Sequence, residues 1–294
     1  MLSQFSLNPN LKNPFVEYDL TPSDILAPSR DLIESLQNNF EDGKILVIEG
    51  LVPDSLDYFL DQPAVQFPEW VPPVEDHEIL NDNINATHSF WPFYPDEPTI
   101  RRFQHHLRRF QESWEPLQKN LFPRYEYKKR YWSWRMNQME LGYLHLDVPP
   151  VYSEHQMRSF MNLSRRPRII DVGPTLESLI AKYYGSEKLH ELSHLNATDY
   201  LQEIKNRLFK KLKFEDQHLP RHVLRLAPGA IWISHSSLIT HGIVYGEKTV
   251  CLETRIPTDQ IRKKERSFNR ILEDVKHQRA SKTEDFKVYE SFFR

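Results

Sequence analysis

Two histidines and one aspartate are the residues of this chain whose types and spacing could do chemistry. His145 and Asp147 lie two positions apart in a strand-like run, and His241 follows much later in the chain. Two imidazoles and a carboxylate in this order can hold a metal on one face and leave its other face open. Such an arrangement suits a non-haem Fe(II) centre that binds a co-substrate and dioxygen together.

The first two ligands belong together through strand geometry. Side chains alternate along a strand, so His145 and Asp147 point the same way, while Leu144, Leu146 and Val148 take the opposite face. A chain with 13 histidines contains roughly one such His-x-Asp triplet by chance, so the pair gains its weight from this apolar, alternating setting.

His241 is the best third ligand. It follows a Pro228-Gly229 turn and an apolar strand, and it lies just before the final pair of strands. The rival is His235, six residues earlier, which we expect to face solvent or to support a ligand from outside the first coordination shell. The other histidines are expected to be surface residues or to be hydrogen-bonded within the fold.

The choice of metal follows from the ligand types. Structural zinc prefers four protein ligands, usually with thiolates among them, and Cys251 is the only cysteine. A face of two nitrogens and one oxygen leaves positions for a bidentate keto acid and for dioxygen, which favours iron. Catalytic zinc with a bound water stays open on the ligands alone.

A keto-acid co-substrate also needs a cation for its distal carboxylate. Arg255 lies fourteen residues after His241 on the last predicted strand, and Arg158 lies on another core strand. Either arginine could bind the carboxylate. The alternative for each is an ion pair with an acidic neighbour such as Glu253 or Asp171, because an arginine on a core strand needs an anionic partner.

Composition bounds the class of protein. With 8 glycines against 21 prolines, a glycine-looped nucleotide-binding fold is disfavoured, and a net charge of −3 gives no reason to expect nucleic acid as a partner. The single cysteine suits a reducing compartment, and the N-terminus lacks the basic start and apolar stretch of a secretion signal. We therefore expect a cytoplasmic protein.

The elements that must position these residues follow from hydrophobic periodicity. Apolar residues recur at steps of three and four between Ile100 and Leu121, which predicts a long helix that packs on a sheet, with a kink at Pro116. Further helices are predicted over 32–40, 200–214 and 258–279. Alternating or buried apolar runs predict strands over 44–49, 131–139, 144–148, 157–163, 168–172, 221–227, 230–234, 241–245 and 248–256.

This order of elements predicts an α+β protein with a double-stranded β-helix, or jelly roll, as its core. We expect a single catalytic domain over residues 1–294. Residues 1–124 would be an N-terminal helical and extended support, and 125–257 the jelly-roll core with a helical insert at about 174–213. Residues 258–294 would be a C-terminal helix and a tail rich in aromatic residues.

Several ordered blocks of the sequence resemble the bacterial Kdo (3-deoxy-D-manno-octulosonic acid) hydroxylases. The match covers most of residues 130–257 and extends loosely over the rest. The similar blocks are Ser133-Trp134-Arg135, Leu144-His145-Leu146-Asp147, Arg158-Ser159-Phe160-Met161-Asn162, Pro167-Arg168, Val172-Gly173 and Pro228-Gly229-Ala230-Ile231-Trp232-Ile233 with His241.

The resemblance implies an Fe(II)- and 2-oxoglutarate-dependent dioxygenase that uses O2 and hydroxylates the Kdo sugar of Kdo-lipid A at carbon 3, with ascorbate expected as reductant. The metal would bind His145, Asp147 and His241. Arg158 is favoured over Arg255 as the carboxylate ligand, because many members carry another residue at the position of Arg255. The further residues expected at the cofactor site are Asn162, Arg135 and Trp232.

A lipid-linked anionic substrate implies cations along its approach and contact with the cytoplasmic face of the inner membrane. The basic clusters and the aromatic tail could equally be solvated or packed within the protein, and the tail could form a contact between two copies of the chain. The candidates are Arg165, Arg166, Arg168, Lys128, Lys129, Arg130, the basic face of 200–214, and Phe286, Tyr289, Phe292 and Phe293.

Two other functions stay open at this point. The first is a 2-oxoglutarate oxygenase that acts on a protein side chain or a free amino acid. The second is a jelly-roll protein that binds a sugar or another ligand without catalysis. Release of succinate from 2-oxoglutarate separates an oxygenase from a binding protein.

Overall fold

The computed structural model describes residues 2–62, 74–75, 96–127, 129–135, 143–147, 154–215 and 218–277. The strands are β1 (Gln4–Ser6), β2 (Phe15–Asp19), β3 (Ile45–Glu49), β4 (Val74–Glu75), β5 (Lys129–Arg135), β6 (Glu154–Asn162), β7 (Arg168–Thr175), β8 (His222–Leu226), β9 (Ile231–Ser234), β10 (Ile239–Tyr245) and β11 (Thr249–Pro257). The α-helices are α1 (Pro22–Leu26), α2 (Arg30–Glu41), α3 (Leu56–Asp61), α4 (Glu97–Leu121), α5 (Leu176–Tyr183), α6 (Ala197–Glu215) and α7 (Phe268–His277).

The strands form two sheets. A seven-stranded sheet has the order β2-β3-β9-β6-β11-β5-β4, and a four-stranded sheet has the order β1-β8-β7-β10. Among the strands described, β2 and β3 pair in parallel and the other pairs are antiparallel. Apolar side chains from both sheets, such as Val47, Trp232 and Leu224, form one buried cluster. This α+β jelly-roll architecture confirms the predicted fold class.

The outer face of the large sheet is covered by helices. Helix α4 begins after Asp96, whose side chain accepts a hydrogen bond from the amide of Thr99 at 2.8 Å and so caps the helix. The helix continues through Pro116 to Leu121. Its apolar stripe, with Phe110 and Trp114, packs on Trp132 and Trp134 of β5.

Alternation on two neighbouring central strands decides which side chains reach the space between the sheets. On β6, Met157 and Met161 join the core under α4, so Arg158 and Phe160 take the opposite face. Strand β11 is antiparallel to β6, with Glu253 directly opposite Arg158. Polar residues at these positions therefore face the interior of the jelly roll.

Two predicted elements differ from the structure. Residues 144–148 were expected to form a strand, but among residues 143–147 only His145 pairs, in an isolated bridge with His241. The last helix begins at Phe268 rather than 258, because Ser267 accepts a hydrogen bond from the amide of Arg270 and caps it there. The strand predicted over 168–172 is confirmed as the start of β7, and Arg168, which opens it, is only 2% exposed.

Some predictions lie outside the described residues. These include 136–139 of the strand predicted over 131–139, Val148, Lys128 and the aromatic tail. In the part of the chain that the structure covers, no helix combines the length and apolar character required to cross a membrane.

Candidate metal centre

The first histidine of the site is carried by a short segment that pairs with the edge strand β10. His145 and His241 exchange two main-chain hydrogen bonds, of 2.9 and 3.0 Å. The amide of Asp147 donates to the carbonyl of Ser236 at 3.1 Å. Leu144 and Leu146 point away into the apolar cluster formed with helices α5, α6 and α7. The alternation expected of a strand therefore holds, although the segment forms a single β-bridge, at His145.

The structure brings the three predicted ligands together. One ligand atom from each of His145, Asp147 and His241 lies within 4.8 Å of the other two. Nε2 of His241 is 3.3 Å from Oδ2 of Asp147, and the two imidazole centroids are 4.6 Å apart. Adjacent ligands on a six-coordinate ion with bonds of about 2.1 Å are about 3 Å apart, so the spacing suits one metal ion.

Backbone carbonyls orient both imidazoles. Nδ1 of His145 lies 3.3 Å from the carbonyl oxygen of Tyr143, and Nδ1 of His241 lies 3.2 Å from that of Ile239. A proton on Nδ1 that is donated to these carbonyls leaves Nε2 as a lone-pair donor. Support of this kind is usual for histidines that bind metals.

The protonation states also suit a cation. Burial, together with the neighbouring His241, lowers the pKa of His145 to about 4, so its imidazole is neutral at physiological pH. Burial acts to raise the pKa of Asp147, but Arg158 and the two histidines outweigh it and hold that pKa well below its usual range. Asp147 is therefore an ionised carboxylate and His145 a neutral imidazole, as metal binding requires.

Arg158 links the metal ligands to a second carboxylate. Its Nη1 donates to Oδ2 of Asp147 at 2.7 Å, and its Nη2 donates to Oε2 of Glu253 at 3.0 Å. Nε of Arg255 lies 3.5 Å from the other oxygen, Oε1, of Glu253. The guanidinium of Arg255 also stacks over the ring of Tyr131, 4.7 Å from its centroid.

The ion pair with Glu253 is the alternative that the sequence left open for both arginines. Without the sheet register, the sequence could not show that Glu253 is a partner shared by Arg158 and Arg255. Glu253 and Arg255 are two positions apart on β11, so they share the inner face with Arg158. This alternation is the one sequence signal that could have suggested the grouping.

Two further residues predicted at the cofactor site, Asn162 and Trp232, make structural contacts within the fold. The side-chain amide of Asn162 donates to the carbonyls of Arg166, Leu226 and Ala227, so it anchors the loop after β6. Asn162 lies four residues from Arg158 on that strand, about 13 Å away at the usual rise. These contacts offer no support for a role in cofactor binding.

Trp232 belongs to the packing between the sheets. Its ring stacks on Phe160 with centroids 4.7 Å apart and an interplanar angle of 6°. The guanidinium of Arg168 lies 5.8 Å from its centroid. Arg135 ends β5 opposite Thr249, and its side chain is outside the described part of the chain. Because Arg168 is 2% exposed and packs on Trp232, it is a buried core residue and not part of a cationic approach.

His235, the rival ligand, lies in a different buried cluster. It is 2% exposed, so the expectation of a solvent-facing histidine is wrong. Its Nε2 lies 2.7 Å from Nδ1 of His155, and its ring stacks near Phe40. Burial lowers the pKa of His155 to about 4, and burial together with the adjacent His155 lowers the pKa of His235 well below its usual value.

A jelly-roll core that presents two histidines and one carboxylate around a single point defines the class of mononuclear non-haem Fe(II) oxygenases. The sequence matches the 3-deoxy-D-manno-oct-2-ulosonic acid (Kdo) hydroxylase family over residues 28–279. The chain belongs to this family, which confirms the resemblance found in its sequence blocks.

Solved structures of the Kdo hydroxylase KdoO share the fold. The apo structure has 15% sequence identity and a TM-score of 0.65, covering 88% of this chain and 95% of that one. The cobalt(II) complex has 14% identity and a TM-score of 0.66, with 92% and 98% covered. The complex with alphaketoglutarate and Fe(III) has 16% identity and a TM-score of 0.64, with 88% and 95% covered. The comparison with curated protein sequences found no match.

Proposed function

We propose that this chain is an Fe(II)- and 2-oxoglutarate-dependent dioxygenase that hydroxylates Kdo at ring carbon 3, with the Kdo of lipid A as its substrate. The observation that carries the proposal is the convergence of His145, Asp147 and His241 within 4.8 Å in a member of the Kdo hydroxylase family. The structural neighbours are described as non-haem Fe(II) alphaketoglutarate-dependent dioxygenases.

The donor set fits Fe(II). Two imidazoles and one carboxylate would hold the ion on one side, with each imidazole fixed through its Nδ1. When bound, Fe(II) supplies the oxidation chemistry by which dioxygen and 2-oxoglutarate hydroxylate a C–H bond, with succinate and carbon dioxide as by-products. The protein's own task is to orient the sugar and the keto acid and to exclude water.

The charges near the site also fit a dianionic co-substrate. Asp147 and Glu253 balance Arg158 and Arg255, so a divalent cation adds two positive charges to a neutral cluster. 2-Oxoglutarate carries two carboxylates and restores neutrality, which favours its binding in a partly buried site.

Arg255 is the better candidate to bind the distal carboxylate. Arg158 already directs one Nη group to Asp147 and the other to Glu253, at hydrogen-bonding distances. Glu253 approaches Arg255 at Nε, at 3.5 Å, so it can hold this guanidinium while a carboxylate binds at the Nη groups. Arg255 also lies one step further along β11, about 7 Å beyond Glu253, which suits a five-carbon keto acid.

An aromatic residue at the edge of the site is available to the sugar. The ring of Tyr143 is 5.8 Å from that of His145, and the residue is 43% exposed. We assign to it the packing of one face of the Kdo ring, because an exposed aromatic face offers apolar contact area at low entropic cost.

The lipid portion of the substrate would bring the protein to the cytoplasmic face of the inner membrane. We propose peripheral contact there, with ascorbate as the reductant that keeps the iron as Fe(II). Sedimentation with vesicles that contain anionic lipid, at low and high salt, tests the membrane contact. A protein that stays in the supernatant with anionic vesicles even at low salt would contradict it.

The decisive experiment is mass spectrometry of lipid A sugars from cells with and without this chain. We expect Kdo to gain one oxygen atom only in cells that express the wild type. The His241→Ala variant should give no gain, whereas His235→Ala should retain it, since His235 lies outside the metal cluster. An unchanged Kdo mass with the folded, iron-loaded wild type would reject Kdo as the substrate.

A further inference from the structure

A buried carboxylate outside the metal cluster contacts both arginines of the site. The side chain of Glu253 is 13% exposed, and each of its oxygens faces a different guanidinium. Oε2 accepts from Arg158 at 3.0 Å, and Oε1 lies 3.5 Å from Nε of Arg255. The metal cluster does not include Glu253, so its position needs another explanation.

The need for this carboxylate is electrostatic. Arg158 and Arg255 are 20% and 16% exposed at their side chains, and two guanidiniums held close together repel each other in such a site. Asp147 compensates one positive charge, and it would share its own charge with a metal ion. Glu253 supplies the second negative charge and allows both arginines to stay folded inward.

The strand register makes the arrangement rigid. Glu253 lies on the central strand β11, directly opposite Arg158 on β6 and opposite Tyr131 on β5. Arg255 stacks over that same Tyr131. The distance between the metal ligand Asp147 and the guanidinium of Arg255 is thus set by a chain of contacts through Arg158 and Glu253.

We propose that Glu253 is a positioning residue that holds Arg255 at a fixed distance from the metal ligands and so selects the length of the keto-acid co-substrate. The inference rests on the proposed function and on Arg255 as the carboxylate-binding residue. A five-carbon keto diacid then fits between the metal and Arg255. A homologue one methylene longer is rejected because Arg255 cannot move outward while Glu253 holds it.

The test uses Glu253→Gln, which keeps the size of the side chain but removes its charge. Asp171→Asn is the matched control, because Asp171 accepts from Arg221 at 2.8 Å and its side chain is 12% exposed, yet it lies in the other sheet. Glu253→Asp keeps the negative charge on a side chain that is one methylene shorter. This variant is measured instead if Glu253→Gln does not fold.

Two measurements are made on each full-length variant. Calorimetry on the cobalt(II)-loaded protein gives the affinity for 2-oxoglutarate and for 2-oxoadipate without turnover. Succinate or glutarate release from the iron-loaded enzyme gives the ratio of kcat/KM for the two keto acids. A residue that merely stabilises the sheet would lower activity with both acids equally and leave this ratio unchanged.

We expect Glu253→Gln to weaken 2-oxoglutarate binding about tenfold and to shift the ratio of kcat/KM toward 2-oxoadipate, with a smaller shift in the same direction for Glu253→Asp. Asp171→Asn should change neither quantity. Unaltered affinity and ratio in the Glu253 variants, or tighter 2-oxoglutarate binding, would overturn the inference alone. A wild type that binds metal but no 2-oxoglutarate would overturn the proposed function as well.

Discussion

Arg158 donates a hydrogen bond from Nη1 to Oδ2 of Asp147 at 2.7 Å, so the carboxylate of the metal cluster is held by a cation that approaches from β6. Burial by itself would raise the pKa of Asp147, and this guanidinium makes the largest contribution in the opposite direction. The carboxylate therefore stays ionised and in one orientation before a metal arrives, which reduces the free-energy cost of forming the site.

The first prediction concerns the arginine that holds this ligand. Arg158→Ala should lower the affinity for Co(II) or Fe(II) by about 10- to 100-fold, because the metal-binding carboxylate loses the group that orients it. Calorimetric titration of the metal into the apo protein measures this. Arg221→Ala, which removes the partner of Asp171, is the control and should bind metal as the wild type does.

The second prediction separates the two arginines. Arg255→Ala should leave metal affinity within about twofold of the wild type and raise the KM for 2-oxoglutarate by about 10- to 100-fold, because a charge-assisted hydrogen bond to the distal carboxylate is lost. Steady-state succinate release at varied 2-oxoglutarate measures it. If Arg158→Ala raises this KM instead and leaves metal affinity unchanged, Arg158 binds the carboxylate, as the family resemblance favoured.

The ligand set could be predicted from the sequence because its signals are local. Alternation places His145 and Asp147 on one face, and the order of elements marks His241 as the third ligand. The pairing of the segment is not a local property. His145 forms a single bridge with His241, and Leu144 and Leu146 pack against helices α5, α6 and α7.

The side chains that surround the metal ligands could not be predicted from the sequence, because their contacts depend on pairing between strands that are distant in the chain. Glu253 faces Arg158 across 95 positions of sequence, and the His155–His235 contact spans 80. The sequence named Glu253 only as an alternative partner, and it placed Arg168 among the candidate cations along the substrate approach. Burial of Arg168 against Trp232 appears only when the two sheets face each other.

The third prediction concerns pH. The unfolded chain protonates its histidines near their ordinary pKa of 6.5, while burial keeps the pKa of folded His155 at about 4 and that of His235 lower still. Below pH 6.5 the unfolded state therefore binds more protons than the folded state, and the free energy of unfolding falls as the pH drops toward 4.

Chemical denaturation at several pH values measures this loss, and a titration difference of this size at His155 corresponds to about 3 kcal/mol over the whole window. His155→Gln should flatten the pH dependence relative to the wild type, since both proteins keep His145 and the other titrating groups. Replacement of the exposed His194 by Gln is the control. Parallel curves for wild type and His155→Gln would contradict the buried pair as a source of acid sensitivity.

The fourth prediction tests how the first ligand is held. A Cβ at Gly242 would lie 2.7 Å from the carbonyl oxygen of Tyr143 and 3.1 Å from its carbonyl carbon, both of which are backbone atoms that cannot rotate away. Gly242→Ala must therefore push residues 143–145 off β10 and displace His145, whose main chain is bonded to His241. We expect a loss of about 1–3 kcal/mol in stability and at least about tenfold weaker metal binding. Gly185→Ala, where a Cβ would meet no atom within 4 Å, should change stability by no more than about 0.5 kcal/mol. Denaturation and metal titration on both variants measure these effects. A Gly242→Ala protein that binds metal like the wild type would show that close backbone contact with β10 does not hold His145 in place.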